Sequence, residues 1–233
     1  MNNTKQLILP WDRIETILLD MDGTLLDLNF DNHFWLEFVP IRYAAKHGLT
    51  LEQAKDELIP RYAALRGKLE WYCLDYWSRE LQLDLADLKR EIAGLIRTLP
   101  HVVEFLHSGR AAGKALYLVT NAHPDALSLK MERTCLNRFF DHIISSHWLG
   151  FPKESPEFWP RLQQLQPFEP TRALLIDDSQ PVLDAAAKFG INYTIGIARP
   201  DSKQPCKTID GFTTIDDLGD LLPANPSYQA QKT

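Results

Sequence analysis

Apolar positions change their period twice along this chain, and the changes divide it. Glu15–Asp20 is a short apolar run bounded by acids, the pattern of a buried strand, and Met-Asp-Gly-Thr follows at once. From Asn32 to Arg97 β-branched runs are nearly absent, and apolar and aromatic residues recur at helical spacing. Phe34, Phe38, Ile41 and Ala45 fit one helix face, as do Trp71, Leu74, Trp77 and Leu81. Pro40 and Pro60 are expected to bend or end these helices, giving a small helical bundle. Beyond Pro100 short apolar runs alternate with helical stretches. The predicted order is helix His101–Ala112, strand Ala115–Val119, a helix from Pro124 to Cys135, strand His142–Ser145 and helix Pro156–Leu165. Strand Ala173–Ile176, helix Val182–Phe189 closed by Gly190, and strand Tyr193–Ile197 complete it. A polar loop rich in Pro and Lys follows. Strands alternating with such helices specify βαβ units and a parallel sheet. The expected architecture is an α/β, Rossmann-like core (residues 1–27 and 98–222), an inserted all-helical cap (28–97) and a flexible tail (223–233).

Composition narrows the function. The chain has 233 residues, 45% hydrophobic and 24% charged, enough for a large packed core and against wholesale disorder. A formal net charge of −6 argues against a dedicated binder of nucleic acid or anionic membrane. Cys73, Cys135 and Cys206 form no C-x-x-C pair and no zinc spacing, so a reducing, cytoplasmic setting is expected. No apolar stretch approaches the roughly 18 residues of a membrane span, and Met1–Pro10 lacks the pattern of a signal peptide. An enzyme or binding module acting on a small molecule remains.

In open α/β sheets ligands sit outside the carboxyl ends of the strands. Asp20 ends the first predicted strand and Asp22 follows two residues on; Thr120 and Asn121 end another; Asp177 and Asp178 end a third. Lys153 lies in the loop after the intervening strand and arrives at the same rim. Acids so crowded repel unless a cation joins them, and carboxylates with water and phosphate suit Mg²⁺. One carboxylate can then act as a nucleophile in phosphoryl transfer, and a second as the acid that protonates the leaving oxygen. Thr120, Lys153 and the metal would stabilise the phosphoryl oxygens. Gly23 would let the backbone pass close to a phosphate.

Taken singly, each of these residues has a plainer use. Two acids in a D-G turn can be a solvated strand end, Thr120 and Asn121 can cap the helix that opens at Pro124, and a lysine is most often on the surface. Aromatic residues repeating on a helix, such as Trp71, Tyr72, Tyr76 and Trp77, are more often core than ligand contacts. The convergence on one rim is what favours chemistry. No G-x-x-x-x-G-K-[ST] or G-x-G-x-x-G loop is present, which counts against an ATP-using kinase or a dinucleotide enzyme. None of the seven histidines has a zincin spacing; His33 and His123 are the candidate substrate contacts among them.

Asp20-Met-Asp-Gly-Thr24, Thr120-Asn121, Lys153 and Asp177-Asp178 together resemble the four motifs of the haloacid dehalogenase (HAD) superfamily. The resemblance implies Asp20 as nucleophile and Asp22 as general acid and base. It implies Mg²⁺ on Asp20, the Asp22 carbonyl and Asp178 with Asp177 assisting, phosphate on Thr120, Asn121 and Lys153, and a type 1 cap in the helical insert. Two positions depart from the pattern: Val182 stands where many members carry a further Asp, and Lys153 is followed by Glu-Ser-Pro.

A narrower resemblance covers nearly the whole chain. The segments LLDMDGTLLDLNFDNHFW, WYCLDYW, TNAHP, GFPKE and IDDSQPVLDAAAKFGI are similar to the bacterial GMP/IMP nucleotidases of this superfamily. It implies hydrolysis of the 5′-phosphate of 6-oxo purine nucleotides. Discrimination against AMP requires a donor for the 6-oxo group and an acceptor for N1–H, with Lys68, Glu70, Tyr72 and Asp75 as candidates in the cap. The rival expectations are a HAD phosphatase or phosphomutase for another small metabolite such as a sugar phosphate, a metal-free dehalogenase, and a non-catalytic binding module. A nucleic-acid or membrane partner is not expected.

Overall fold

The computed structural model describes residues 9–222; the tail expected to be flexible, 223–233, lies outside the described residues, as do residues 1–8. Strands β1 (Thr16–Leu19), β2 (Ala115–Thr120), β3 (His142–Ser145), β4 (Ala173–Asp177), β5 (Tyr193–Ile197) and β6 (Thr213–Ile215) form one parallel sheet, in the order β3-β2-β1-β4-β5-β6. Between β1 and β2 run α1 (Asn29–His33), α2 (Val39–His47), α3 (Leu51–Leu65), α4 (Leu69–Tyr72), α5 (Leu74–Leu81) and α6 (Leu85–Glu91). The later helices are α7 (Val102–Ala111), α8 (Pro124–Thr134), α9 (Ser146–Leu149), α10 (Phe158–Leu165) and α11 (Gln180–Phe189).

Helices cover both faces of the sheet, which is why its central strands are apolar throughout. Ile17 and Leu19 of β1 join Leu116, Leu118, Leu174 and Ile176 in a core filled by Phe105 and Leu106 of α7 and Leu127 and Met131 of α8. Leu18 points the other way, into a core with Val119, Leu175, Trp159 and Leu162 of α10 and Leu183 of α11. β1 is flanked by β2 on one side and β4 on the other, so the topological switch point falls beside Asp20.

Helices α1–α6 and the turn within them hold a separate core of Phe34, Val39, Tyr43, Leu58, Tyr62, Leu74, Trp77, Leu81 and Leu85, which also takes in Ala126 of α8. Tyr62 and Trp77 meet edge-on with ring centroids 5.0 Å apart, an arrangement worth about 0.5–1.5 kcal/mol beyond the area it buries. A capping box starts α3: Gln53 N–H donates to Thr50 Oγ1 at 3.2 Å, and Thr50 N–H donates to Gln53 Oε1 at 2.9 Å.

Three expectations are corrected here. The face Phe34, Phe38, Ile41, Ala45 does not persist, because a π-helical turn at Phe34–Phe38 inserts one residue and rotates the helix beyond it. Val39, Tyr43 and Ala44 are buried instead, while Ile41 is 48% exposed. Of the two outcomes expected at Pro60, bending or ending its helix, the second is excluded, since α3 runs on to Leu65. Burial of Ala54, Leu58 and Tyr62 on one face outweighs the roughly 3 kcal/mol that an internal proline costs. The expected polar loop near the C-terminus contains β6, a strand whose three residues include one buried side chain, Ile215. That is too short to display an alternation. The face of Trp71, Leu74, Trp77 and Leu81 holds, but α4 and α5 share it across a break at the extended backbone of Cys73.

Candidate active site

β1 stops at Leu19 and the chain turns sharply. Asp20 N–H still donates to Ile176 O of β4 at 3.0 Å, which fixes the Asp20 backbone to the sheet. The turn closes through Leu26 N–H to Met21 O at 2.8 Å and Gly23 N–H to Leu26 O at 2.7 Å. Gly23 has φ +89°, and a Cβ there would stand 2.7 Å from Asp178 Cγ. No other residue allows both the turn and the approach of the second strand end.

Lys153 binds the rim together from beneath. Its Nζ donates to Asp20 Oδ1 at 2.5 Å, to Asp177 Oδ2 at 2.7 Å and to Val119 O at 3.0 Å, and the side chain is 2% exposed. Against the cost of burial, Asp177 and Asp20 hold the ammonium above its ordinary range, so it stays charged. Burial pushes the Asp20 carboxyl up to about 6, with the pull of Lys153 partly offset by Asp177. Asp177 Oδ1 accepts from Ser179 N–H at 2.9 Å, so both its oxygens have partners, whereas Asp178 is held by Lys207 at 2.7 Å. Burial also raises Asp177 and Asp178.

Oxygen atoms of Asp20, Asp177 and Asp178 lie within 4.8 Å of one another, and Asp20 Oδ2 is buried with no hydrogen-bond partner. An orphaned carboxylate oxygen among three acids fits a hard divalent cation, which would also draw the raised Asp20 back towards its charged form.

Asp22 lies in a second ion cluster. Lys130 of α8, 1% exposed, donates to Asp22 Oδ1 at 2.7 Å and to Asp31 Oδ2 at 2.6 Å. Lys89 of α6 donates to Asp31 Oδ1 at 2.6 Å. Burial pushes Asp22 up to about 7 against the attraction of Lys130, with Asp31 and Asp20 adding to the rise. Asp31 shows the opposite outcome: against burial, Lys130 and Lys89 hold it well below the usual carboxylate range. Burial thus favours the protonated form of Asp22 while two lysines favour the ionised form of Asp31, a division of the kind that acid catalysis uses.

These groups line a cavity of about 290 Å³, at the small end of the range for ligand sites. From the core come Asp20, Asp22, Thr120, Asn121, His123, Lys130, Lys153, Asp177, Asp178 and Val182; from the helices after β1 come Asp31, Asn32, Trp71, Tyr72 and Lys89. The structure therefore brings together all the residues expected at the strand ends. Thr120 and Asn121 do not cap α8, because His123 does so, its Nδ1 accepting from Asp125 N–H at 3.4 Å. Asn121 instead accepts from Lys153 N–H and donates to Glu154 Oε2, both at 2.9 Å. Tyr72 OH donates to Glu154 Oε1 at 2.9 Å, so Glu154 ties α4 to the Lys153 loop. Of the other expected contacts, His33, Lys68 and Glu70 do not line the cavity, and Asp75 lies outside it with its Oδ2 3.6 Å from His123 Nε2.

Asp31, Lys89, Lys130 and Glu154 were not singled out from the sequence. The two lysines had a signal: each occupies an apolar-face position, beside Leu127 and Met131 in α8 or Leu85 and Leu88 in α6. A cation there must be paired to be buried.

Comparison with known proteins bears on what this arrangement does. The haloacid dehalogenase-like hydrolase family model matches residues 14–190. A protein of Escherichia coli named GMP/IMP nucleotidase YrfG is 40% identical over 216 residues, 93% of this chain and 97% of that one. A phosphoglycolate phosphatase of Nitrosospira multiformis is 30% identical over 188 residues, 76% of this chain and 80% of the other. The crystal structure of a HAD phosphatase from Thermococcus onnurineus superposes with a TM-score of 0.76 at 21% identity, covering 89% of this chain and 96% of that one, and shares the fold.

Proposed function

The chain belongs to the haloacid dehalogenase-like hydrolases and is a phosphomonoesterase, and from that premise we propose that its substrates are the 6-oxo purine nucleotides GMP and IMP. The observation that carries the substrate class is the 40% identity to a GMP/IMP nucleotidase over 216 of 233 residues. An alignment of that length necessarily includes most of α1–α6, the proposed cap, and not only motifs shared by many phosphatases.

In the proposed reaction Asp20 attacks the phosphorus in line. The bond to the nucleoside 5′-oxygen breaks, and Asp22 gives that oxygen its proton. Water then attacks the aspartyl phosphate while Asp22, now a carboxylate, takes the water's proton, which regenerates Asp20 and releases phosphate. Lys153 fixes one oxygen of Asp20 and would supply positive charge to the phosphoryl group; Thr120 and Asn121, which line the same cavity, would contact its equatorial oxygens. Asp20, Asp177 and Asp178 would hold Mg²⁺, which supplies charge stabilisation to the phosphoryl group when bound. Asp177, with both oxygens engaged, mainly orients Lys153, and Asp178 is the freer ligand. The segment 28–97 acts as a cap on the core of residues 1–27 and 98–222, excluding water during the first step. Trp71, Tyr72 and His123 are the residues proposed to meet the base, Trp71 by stacking and the others by hydrogen bonding.

The test is phosphate release with Mg²⁺ from GMP, IMP, AMP, CMP, UMP, glucose 6-phosphate and phosphoglycolate. The reading expects kcat/KM for GMP and IMP to exceed that for AMP by at least about a hundredfold, because the wrong base leaves buried polar groups unpaired. A higher kcat/KM for phosphoglycolate or the sugar phosphate would keep the phosphatase and overturn the nucleotide assignment.

A further inference from the structure

Beside Tyr72 lies a cluster of which the proposed reaction uses His123 alone. Cys73 interrupts the helices of the cap between α4 and α5, and its Sγ accepts from Tyr76 N–H at 3.4 Å. Across the seam stand His123, at the start of α8, and His147, on α9. One donor atom from each of Cys73, His123 and His147 lies within 4.8 Å of the other two, and the two rings meet edge-on with centroids 5.0 Å apart. His147 Nε2 is buried with no hydrogen-bond partner, a costly state for a polar atom. Cys73 and His147 are not among the residues lining the Asp20 cavity.

We propose that Cys73, His123 and His147 form a second metal site, for a borderline-soft divalent ion such as Zn²⁺, that straps the cap to the core. One sulfur and two imidazole nitrogens exclude Mg²⁺ and Ca²⁺ and suit Zn²⁺ or Co²⁺. Tetrahedral Zn–N and Zn–S bonds place ligand atoms about 3.3–3.8 Å apart, so the cluster closes by roughly 1 Å through side-chain rotation. Asp75, already beside His123, is placed to supply the fourth ligand or to orient it, and its 75% exposed side chain leaves the ion a path from solvent. The three ligands are far apart in the chain, which is why linear spacing gives no zinc pattern. An ion held from both sides of the seam keeps the cap shut and engages His123, so it slows turnover without entering the Asp20 site.

The experiment is a Co²⁺ titration of the full-length protein in excess Mg²⁺, read by thiolate-to-cobalt charge-transfer absorption. The wild type is expected to saturate at one equivalent, and Cys135→Ser and Cys206→Ser to behave alike. Cys73→Ser, whose hydroxyl can still accept from Tyr76 N–H, is expected to keep its Mg²⁺-dependent turnover and lose the band. His147→Gln is expected to need about tenfold more Co²⁺ or beyond. A missing band in the wild type, or one that survives Cys73→Ser, overturns the site. Zn²⁺ is expected to slow the wild type and spare Cys73→Ser; equal inhibition of both would place the inhibitory ion at Asp20, Asp177 and Asp178 and overturn the strap. The absorption involves no phosphate ester, so the site stands or falls independently of the GMP/IMP reading.

Discussion

The core side of the cavity and the side lined by α1–α6, the proposed cap, are built in different ways. On the core side Asp20, Lys153 and Asp177 form a wholly buried ion triad whose members are anchored at the ends of β1, β2 and β4. On the cap side the polar links to the core come from short helices: Tyr72 to Glu154, Asp31 to Lys130, and Asp75 facing His123, beside the apolar contact with Ala126 of α8. Reacting groups must be held to a fraction of an ångström, and strand ends do that. Groups that admit, select and release a substrate must be able to part, and single hydrogen bonds on short helices permit it. Lys130 joins the two regimes, because it holds the proposed acid Asp22 and, through Asp31, touches the cap lysine Lys89.

The contrast is sharpest under loss of a core cation. Lys153→Met leaves Asp20 and Asp177 buried without their counter-charge, so the protein is expected to lose about 3–5 kcal/mol in a urea unfolding curve. Turnover is expected to fall by about three orders of magnitude for every substrate alike. Lys130→Met is the intermediate case. It is expected to lower kcat by about 10²-fold through misplacement of Asp22, with the ratio of GMP to AMP turnover unchanged.

The pH profile separates the same two sides. Asp22, raised to about 7 by burial, keeps its proton below that pH and loses it above, so kcat/KM is expected to fall as pH rises through 7. Lys130 lowers that pKa, so in Lys130→Met the alkaline fall is expected to move to higher pH. A shift to lower pH would contradict the pairing. The smallest effect belongs to the cap. Tyr72→Phe removes one hydrogen bond to Glu154, worth about 1 kcal/mol, and is expected to raise KM several-fold and alter the GMP-to-AMP ratio while leaving kcat nearly unchanged. A kcat loss as large as that of Lys130→Met would erase the proposed division.

The same division decided what could be read from the chain. β1, β2 and β4 are buried on both faces, so each appears as an apolar run that stops abruptly at polar residues, and the stops are Asp20, Thr120-Asn121 and Asp177-Asp178. Helical packing in the cap hides its details better. A single π turn at Phe34–Phe38 displaced a whole face, and tertiary burial carried α3 through Pro60. Glu154 has no linear signal beyond its neighbour Lys153, since its role depends on Tyr72 and Asn121 meeting it from two directions. Lys207 reaches Asp178 from a loop that reads only as polar.

Asp20 is the proposed acceptor of the phosphoryl group, and the most direct test is phosphate release from GMP by Asp20→Asn beside the wild type, with Mg²⁺ present and folding checked by circular dichroism. The amide keeps the shape of the carboxylate but cannot act as the nucleophile, so release is expected to fall by about three orders of magnitude or more. A variant that retains a tenth of wild-type turnover would contradict the covalent mechanism and leave the buried triad as a structural clamp.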